Sequence, residues 1–252
     1  MRNQYIKNVK KIEFVITDAC TGHCKHCSQG DHRAHAKPID ADLAISAIRK
    51  ICDDYDIQTV MVFGGEPLLY AEVACSIIKS ATELGIPHRQ IITNGYFSKD
   101  DEKISRVAKM LANSGVNDLL LSVDAFHQEY IPLDIVKKFA TEAAKCGIPI
   151  RLQPAWLVSQ NDENPYNVKT REILNSFDDI TLSMGEGNVI FPEGNALKYL
   201  SEYFKLMKPA NPYIEDPSNL YCISFSSNGD VLNGNIYSED IDKIMDEYSP
   251  NT

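Results

Sequence analysis

The chain has 252 residues, of which 44% are apolar and 24% are charged, and this composition is typical of a globular protein with one large domain or two small ones. No apolar run approaches the roughly 20 residues that a membrane span needs, and the N-terminal MRNQYIKNVKKIEF does not resemble a signal peptide. The net charge of −10 argues against sequence-independent binding of nucleic acid, because such binding needs surplus Lys and Arg to neutralise phosphates. We therefore expect a cytoplasmic monomer that binds neither membranes nor nucleic acid.

Six short apolar runs alternate with helical patterns along the chain. The predicted strands are residues 11–17, 59–63, 88–93, 118–123, 148–153 and 189–191, and the predicted helices are residues 40–54, 71–84, 101–114, 134–146, 167–177 and 194–207. Repeated strand–helix units imply a parallel sheet with right-handed crossovers. Six units are compatible with a doubly wound sheet or a partial barrel, and are too few for a complete eight-stranded barrel.

The pattern changes after the sixth unit. Residues 209–217 (PANPYIEDP) contain three prolines and indicate a linker or a lid. The next segment alternates around Asn228-Gly229, which predicts a β-hairpin, and residues 240–248 predict a short helix. We therefore expect a main domain, residues 1–208, and a C-terminal extension, residues 209–252, that packs on it.

The loop after the first predicted strand, TDACTGHCKHCSQG, contains Cys20, Cys24 and Cys27. Three kinds of site fit such a group: a disulfide, a zinc site or an iron–sulfur cluster. In a reducing cytosol, clustered cysteines are more often metal ligands or catalytic thiols than disulfide partners. A structural zinc site would add one histidine to the three thiolates. The candidate histidines are His23, His32 and His35.

Glycine, polar and acidic residues follow four other predicted strands. Their sequences are Gly64-Gly65-Glu66-Pro67, Thr93-Asn94-Gly95, Ser122-Val123-Asp124 and Phe191-Pro192-Glu193-Gly194-Asn195. Since ligands of parallel α/β proteins bind at the carboxyl ends of strands, these loops are expected to meet the cysteine loop at one mouth. There Glu66 could accept hydrogen bonds from an amine. Asn94, Ser122 and Asp124 could bind ribose hydroxyls. Taken singly, each loop is equally compatible with an ordinary turn and solvated acids.

The spacing Cys20-x3-Cys24-x2-Cys27, followed by GGEP at residues 64–67 and TNG at residues 93–95, resembles the radical S-adenosylmethionine (SAM) superfamily over residues 11–206. The resemblance implies a partial (β/α)6 TIM-like barrel, a [4Fe–4S] cluster and SAM. It further implies that the three cysteines bind three of the four irons, that SAM fills the open position and that His26 lies against the adenine. The other SAM-binding positions that it implies are Gly64, Gly65, Glu66, Pro67, Thr93, Asn94, Ser122, Asp124, Gln153 and Pro192.

On the substrate side, Asp124 and His127 follow the fourth predicted strand and are predicted to line the mouth as catalytic residues. Arg151 and Gln153 lie on the fifth strand, where one of them could face the barrel interior, and both are equally compatible with ordinary strand residues.

The CKHC form of the cysteine motif is closer to the SPASM-like branch, whose members modify peptides or small natural products. Many members carry a cysteine-rich C-terminal extension, whereas only Cys222 lies in that region here, so no auxiliary cluster is expected. A glycyl-radical-enzyme activase and a non-catalytic iron–sulfur sensor are the alternatives. The implied partners are a peptide or small-molecule substrate and an electron donor such as flavodoxin or ferredoxin.

Overall fold

Parallel strands form the centre of the protein, as the alternating pattern predicts. The computed structural model describes residues 3–30, 32, 35–177, 180, 182–205 and 208–250. Its central strands are β1 (Lys11–Val15), β2 (Thr59–Phe63), β3 (His88–Thr93), β4 (Asp118–Ser122) and β5 (Ile150–Gln153). They pair in this order, each parallel to the next. The predicted strands at residues 59–63 and 88–93 are confirmed to the residue.

Helices follow these strands along the chain. They are α1 (Ala41–Asp54), α2 (Ala71–Glu83), α3 (Asp101–Ser114), α4 (Leu133–Lys145) and α5 (Pro165–Asn175). Capping residues fix several ends: the Asp40 and Asp100 carboxylates accept first-turn N–H groups, and Gly115 ends α3 at φ 91°. No helix in the described part of the chain is both long and apolar enough to cross a bilayer.

The central sheet has two different faces. Apolar residues such as Phe14, Val62 and Leu121 are fully buried in one core with the inner sides of α1–α4. Alternate residues point the other way, because successive side chains of a strand lie on opposite faces. We call this second face the interior face. It contains Glu13, Met61, Gln90 and Asp118, paired in register across β1–β4, and Arg151 on β5.

The sixth strand differs from the prediction. Three two-residue strands occupy this region: β6 (Ala155–Trp156), β7 (Ser183–Met184) and β8 (Asn188–Val189). β7 pairs with β5, and β8 pairs with β6 in a separate two-stranded sheet. The predicted strand at residues 189–191 is therefore wrong for its last two residues. The strands are interrupted at Pro154 and at residues 185–187, where Gly187 has φ 77°.

The last predicted helix of the series is shorter than expected. Helix α6 (Gly194–Tyr199) is followed by a 3₁₀ turn, Ser201–Phe204, and residues 206–207 at the predicted end lie outside the described residues. The break falls at Leu200, whose side chain is buried in a small second core with Phe126 and Phe204.

The C-terminal segment joins the same sheet. Strand β9 (Cys222–Phe225) pairs parallel with β1, and Phe225 stacks on Phe14 with ring centroids 4.6 Å apart. The predicted hairpin is confirmed, since β10 (Asp230–Val231) pairs antiparallel with β9, and β11 (Gly234–Asn235) pairs with β10. Helix α7 (Ile241–Glu247) follows. The predicted boundary at residues 208–209 stays a prediction, while the sheet itself is continuous across it.

Candidate active site

The cysteine loop directly follows β1, at the carboxyl edge of the sheet. Cys24 is buried, and Cys20 and Cys27 are half-buried. The loop is folded back on itself: a Cβ added to Gly22 would lie 3.2 Å from the Cys24 Sγ and 3.9 Å from the Cys20 Sγ. The Cys27 amide donates to the Cys24 carbonyl at 3.2 Å. All seven cysteines of the chain are free thiols.

The three cysteine side chains are suited to bind a cationic metal group as thiolates. Burial raises the pKa of Cys20 to about 12 and raises the pKa values of Cys24 and Cys27 as well. The thiols are therefore protonated at neutral pH unless a cation stabilises the thiolates. Iron–sulfur clusters are held by cysteine thiolates, so the donor set fits such a cluster.

The zinc alternative depends on a nearby histidine. The Nε2 of His32 lies 3.3 Å from the Cys27 Sγ, and its Nδ1 lies 3.2 Å from the Asp18 carbonyl oxygen. Bonds of roughly 2.3 Å to sulfur and 2.0 Å to nitrogen at a tetrahedral angle would put two zinc ligands about 3.5 Å apart, so His32 is the histidine placed to complete a zinc site. His23 and His35 are exposed.

The loop after β2 packs directly against the start of the cysteine loop. The Gly65 amide donates to the Thr17 carbonyl and the Glu66 amide donates to the Ala19 carbonyl, both at 2.8 Å. A Cβ on Gly65 would lie 2.1 Å from the Ala19 carbonyl oxygen, and Gly64 has φ 140°. The two glycines are therefore needed to bring the GGEP loop against the cysteine loop.

Glu66 ties the loops after β2 and β3 together. Its carboxylate is fully buried and accepts hydrogen bonds from the Leu68 amide, the Thr93 hydroxyl and the Asn94 amide at 2.7–2.9 Å. Burial raises the pKa of Glu66 to about 7, against the effect of these hydrogen bonds. Asn94 in turn donates from Nδ2 to the Thr21 hydroxyl at 3.2 Å. Thr93 and Asn94 thus support the cysteine loop through contacts within the chain.

The first residues of α6 pack against the other end of the cysteine motif. The Asn195 amide donates to the Cys27 carbonyl at 2.9 Å, and its side chain donates to the Cys24 carbonyl at 3.3 Å. A Cβ on Gly194 would lie 2.4 Å from the Ser28 carbonyl oxygen. Pro192, two residues earlier, is half-buried. Residues 191–196, about 165 positions later in the sequence, therefore lie against the cysteine motif.

A buried carboxylate orients a histidine beside the cysteines. The side chain of Asp124 is fully buried, and it accepts from the His127 Nδ1 at 2.8 Å and from the Ala155 amide at 3.0 Å. Burial alone would raise the pKa of Asp124, but the hydrogen bonds and charge of His127 hold it well below its usual range. Donor atoms of Cys24, His26 and His127 all lie within 4.8 Å of one another. The structure therefore places Asp124 and His127 beside the cysteine motif.

His26 lies between aromatic rings with one nitrogen unpartnered. Its ring centroid is 4.8 Å from that of His127 and 5.1 Å from that of Phe126. Desolvation lowers the pKa of His26 to about 4, so the ring is neutral at neutral pH. Its Nδ1 is buried without a hydrogen-bond partner among the described residues. Such a nitrogen is available to a bound ligand.

Other predicted site residues are more peripheral to these contacts. Ser122 and Gln153 face each other in register at the ends of β4 and β5, and both are half-buried. Pro67 begins the 3₁₀ turn that follows Glu66.

The sequence patterns did not predict Tyr166, whose ring stacks on Phe126 with centroids 4.4 Å apart. Phe126 in turn contacts His26. No local pattern marks Tyr166, since it lies in the first turn of α5 and its role depends on tertiary packing.

A parallel βα sheet with three clustered cysteines at its carboxyl edge suits a protein that binds an iron–sulfur cluster there. The family model described as the Radical SAM superfamily matches residues 14–145. This is more than half of the chain, and the chain belongs to that superfamily. Its cofactors are accordingly a [4Fe–4S] cluster and SAM.

Curated relatives match part of the chain. "Probable GTP 3',8-cyclase" of Methanocaldococcus jannaschii is 24% identical over 129 residues, 51% of this chain and 41% of that protein. The protein of the same name from Sulfolobus acidocaldarius is 29% identical over 160 residues, 60% of this chain and 49% of that one. "GTP 3',8-cyclase" of Limosilactobacillus fermentum is 29% identical, covering 64% and 50%. The chain spans about half the length of these relatives.

Solved structures share the fold. Streptococcus suis SuiB bound to S-adenosylmethionine superposes with a TM-score of 0.57 at 16% identity, over 97% of this chain and 67% of SuiB. Native anSMEcpe with bound AdoMet gives 0.58 at 14% identity, over 96% and 81%. The predicted partial TIM-like barrel is confirmed, and the interior face lines its inside.

Proposed function

We propose that the chain is a single-cluster radical SAM enzyme that acts on a peptide or a small natural product in the cytoplasm. The observation that carries the proposal is that the loops after β2 and β3 and the start of α6 all contact the cysteine loop. These contacts hold Cys20, Cys24 and Cys27 at the carboxyl edge of the barrel, where ligands of parallel α/β proteins bind.

Three thiolates and four irons leave one iron without a protein ligand. When bound there, the cofactors supply one-electron cleavage of SAM to methionine and a 5′-deoxyadenosyl radical, which takes a hydrogen atom from the substrate. The chain's own residues bind, orient and shield the reactants. The electron donor in this proposal is a small redox protein such as flavodoxin or ferredoxin.

Residues around the cysteines are proposed to hold SAM. The unpartnered Nδ1 of His26 and the flanking ring of Phe126 are suited to the adenine. Glu66 contributes chiefly by holding the GGEP backbone in place, since its carboxylate already accepts three hydrogen bonds. His127, oriented by Asp124, has a ring nitrogen within 4.8 Å of donor atoms of Cys24 and His26, and it is proposed to face the reacting groups. The SPASM-like assignment also stays a proposal.

A nucleotide substrate is the second candidate, because the curated relatives carry the name GTP 3',8-cyclase. The likeness covers about half of those proteins, so the name itself does not transfer. An activase of glycyl-radical enzymes and an iron–sulfur sensor are the remaining alternatives.

Formation of 5′-deoxyadenosine tests the proposal. The cluster is reconstituted without oxygen, reduced with dithionite and mixed with SAM, and the product is quantified by mass spectrometry. We expect slow product formation even without substrate, which stops when dithionite is left out. A chain that binds iron and SAM but gives no product would instead be a sensor.

A further inference from the structure

One thiol and two imidazole rings lie close together beside the cysteine loop. Donor atoms of Cys24, His26 and His127 all lie within 4.8 Å of one another. Among the described residues, this is the one group of three or more Cys, His, Asp or Glu side chains with donors this close. The three cysteines of the loop therefore do not form such a group among themselves, and their donor atoms are more widely spaced.

The two spacings suit different metal groups. A tetrahedral ion with bonds of roughly 2.0 Å to nitrogen and 2.3 Å to sulfur holds its ligands about 3.5 Å apart. Cys24, His26 and His127 reach that arrangement through side-chain shifts of roughly 1 Å. Ligands of different irons in a cubane cluster lie farther apart, because each is bonded to a separate corner. The compact group therefore fits a single ion, and the wider set of cysteines fits the cluster.

Asp124 holds His127 in the manner of a metal-binding histidine. The Asp124 carboxylate accepts a hydrogen bond from the His127 Nδ1 at 2.8 Å, which leaves the lone pair on Nε2. Histidines that bind metals commonly donate their other ring N–H to a carboxylate in this way. The carboxylate is itself fixed, because it also accepts from the backbone amides of Phe126, His127 and Ala155 at 2.9–3.0 Å.

His26 supplies the third donor. Its Nδ1 is buried and has no hydrogen-bond partner in the part of the chain that the structure describes. Its ring centroid lies 4.8 Å from that of His127 at an interplanar angle of 67°, so the two rings meet edge to face. A neutral imidazole without another partner is free to bind a metal ion.

We propose that the cluster-free chain binds one divalent transition-metal ion, Zn²⁺ or Fe²⁺, through Cys24, His26 and His127. One sulfur and two imidazole nitrogens suit these ions, and the fourth position is open to water. Binding releases the proton of the Cys24 thiol to solvent. Because Cys24 is also a proposed cluster ligand, the ion and the cluster exclude each other. This exclusion rests on the proposed function, whereas the metal site itself does not.

Anaerobic titration with Co²⁺ tests the site, because thiolate-bound Co²⁺ has a charge-transfer absorption band. The full-length, cluster-free chain carries Cys20→Ala and Cys27→Ala, so Cys24 is the remaining thiol of the loop. We expect it to bind one Co²⁺ per chain and to show the band. His127→Ala should weaken binding at least about tenfold. His127→Cys should keep the affinity and strengthen the band, because a second thiolate replaces the imidazole.

His23→Ala is the matched control, since His23 lies in the same loop but is exposed and outside the group. It should bind Co²⁺ like the parent chain, whereas Cys24→Ala should lose the band. If the double cysteine variant does not fold, the histidine substitutions are made in the otherwise unaltered chain. There His32→Ala, which removes the ring 3.3 Å from the Cys27 Sγ, should leave the affinity unchanged.

The results separate this site from its rival. Full Co²⁺ affinity in the His127→Ala variant would overturn the proposal. Loss of binding when Cys20 and Cys27 are replaced in a folded chain would also overturn it, and would assign the ion to the three cysteines and His32.

Iron uptake tests the exclusion. With one equivalent of Zn²⁺ present, the unaltered chain should take up several times less iron during reconstitution than the His127→Ala variant, which keeps all three cysteines of the loop. Equal uptake would overturn the exclusion. Failure of the proposed function itself would be seen separately, as low iron uptake or absent 5′-deoxyadenosine in reactions without zinc.

Discussion

Replacing any one of Cys20, Cys24 and Cys27 with alanine is expected to reduce bound iron after reconstitution from about four per chain to near zero, and to abolish 5′-deoxyadenosine formation. In the proposed site each thiolate would bind a different iron, so two remaining cysteines would hold the cluster poorly. Iron and sulfide analysis, with the absorbance of the reconstituted protein, measures the effect.

Cysteines elsewhere in the chain supply the control. Cys52 lies on α1 and Cys146 at the end of α4, both half-buried and away from the carboxyl edge. Alanine at either position should keep the full iron content. Retention of about four irons in all three cysteine-motif variants would contradict the assignment of the cluster to this loop.

Gly65→Ala is expected to have the second large effect. The added Cβ would lie 2.1 Å from the Ala19 carbonyl oxygen and 2.6 Å from its carbon, so the GGEP loop and the cysteine loop must move apart. Overpacking of this kind destabilises a protein by roughly 1–3 kcal/mol, or more when backbone has to shift. We expect a lower free energy of unfolding for the apoprotein, measured in urea, and loss of cluster retention.

Gly85→Ala is the matched control for this substitution. Gly85 has φ 73° and no atom within 4 Å of its added Cβ, so only backbone strain of about 1 kcal/mol is expected. The cluster should be retained in full. Equal stability and equal iron content of the two variants would show that close contact between the loops is not needed.

Local patterns predicted the parts of the fold that depend on neighbouring residues. The β-branched run at residues 59–63 and the capped helix at residues 101–114 have the expected bounds. The cysteine spacing and the GGEP and TNG turns are also local, and they led directly to the candidate site. The hairpin at Asn228-Gly229 was predicted from its turn residues for the same reason.

Contacts between distant segments could not be read from such patterns. The parallel pairing of β9 with β1 depends on which sheet edge is free, and a run at Cys222–Phe225 does not encode that choice. The interruption at Gly187 is likewise set by packing: a Cβ there would lie 2.6 Å from the Trp156 Nε1.

The role of Glu66 shows the same limit within the site. An acidic residue after a strand indicates a ligand contact, yet here its carboxylate accepts hydrogen bonds from Leu68, Thr93 and Asn94 of the chain itself. Its burial becomes apparent only when β2 and β3 lie side by side. The Asn195 contact with Cys27 also joins residues far apart in sequence.

Electron paramagnetic resonance of the reduced cluster tests the central claim most directly. The claim is that Cys20, Cys24 and Cys27 hold a [4Fe–4S] cluster with one open iron position that SAM fills. Spectra are recorded on the dithionite-reduced protein with and without SAM. We predict a [4Fe–4S]⁺ signal whose g-values change when SAM is added. Zinc in place of iron, or a cluster signal that SAM leaves unchanged, would contradict the account.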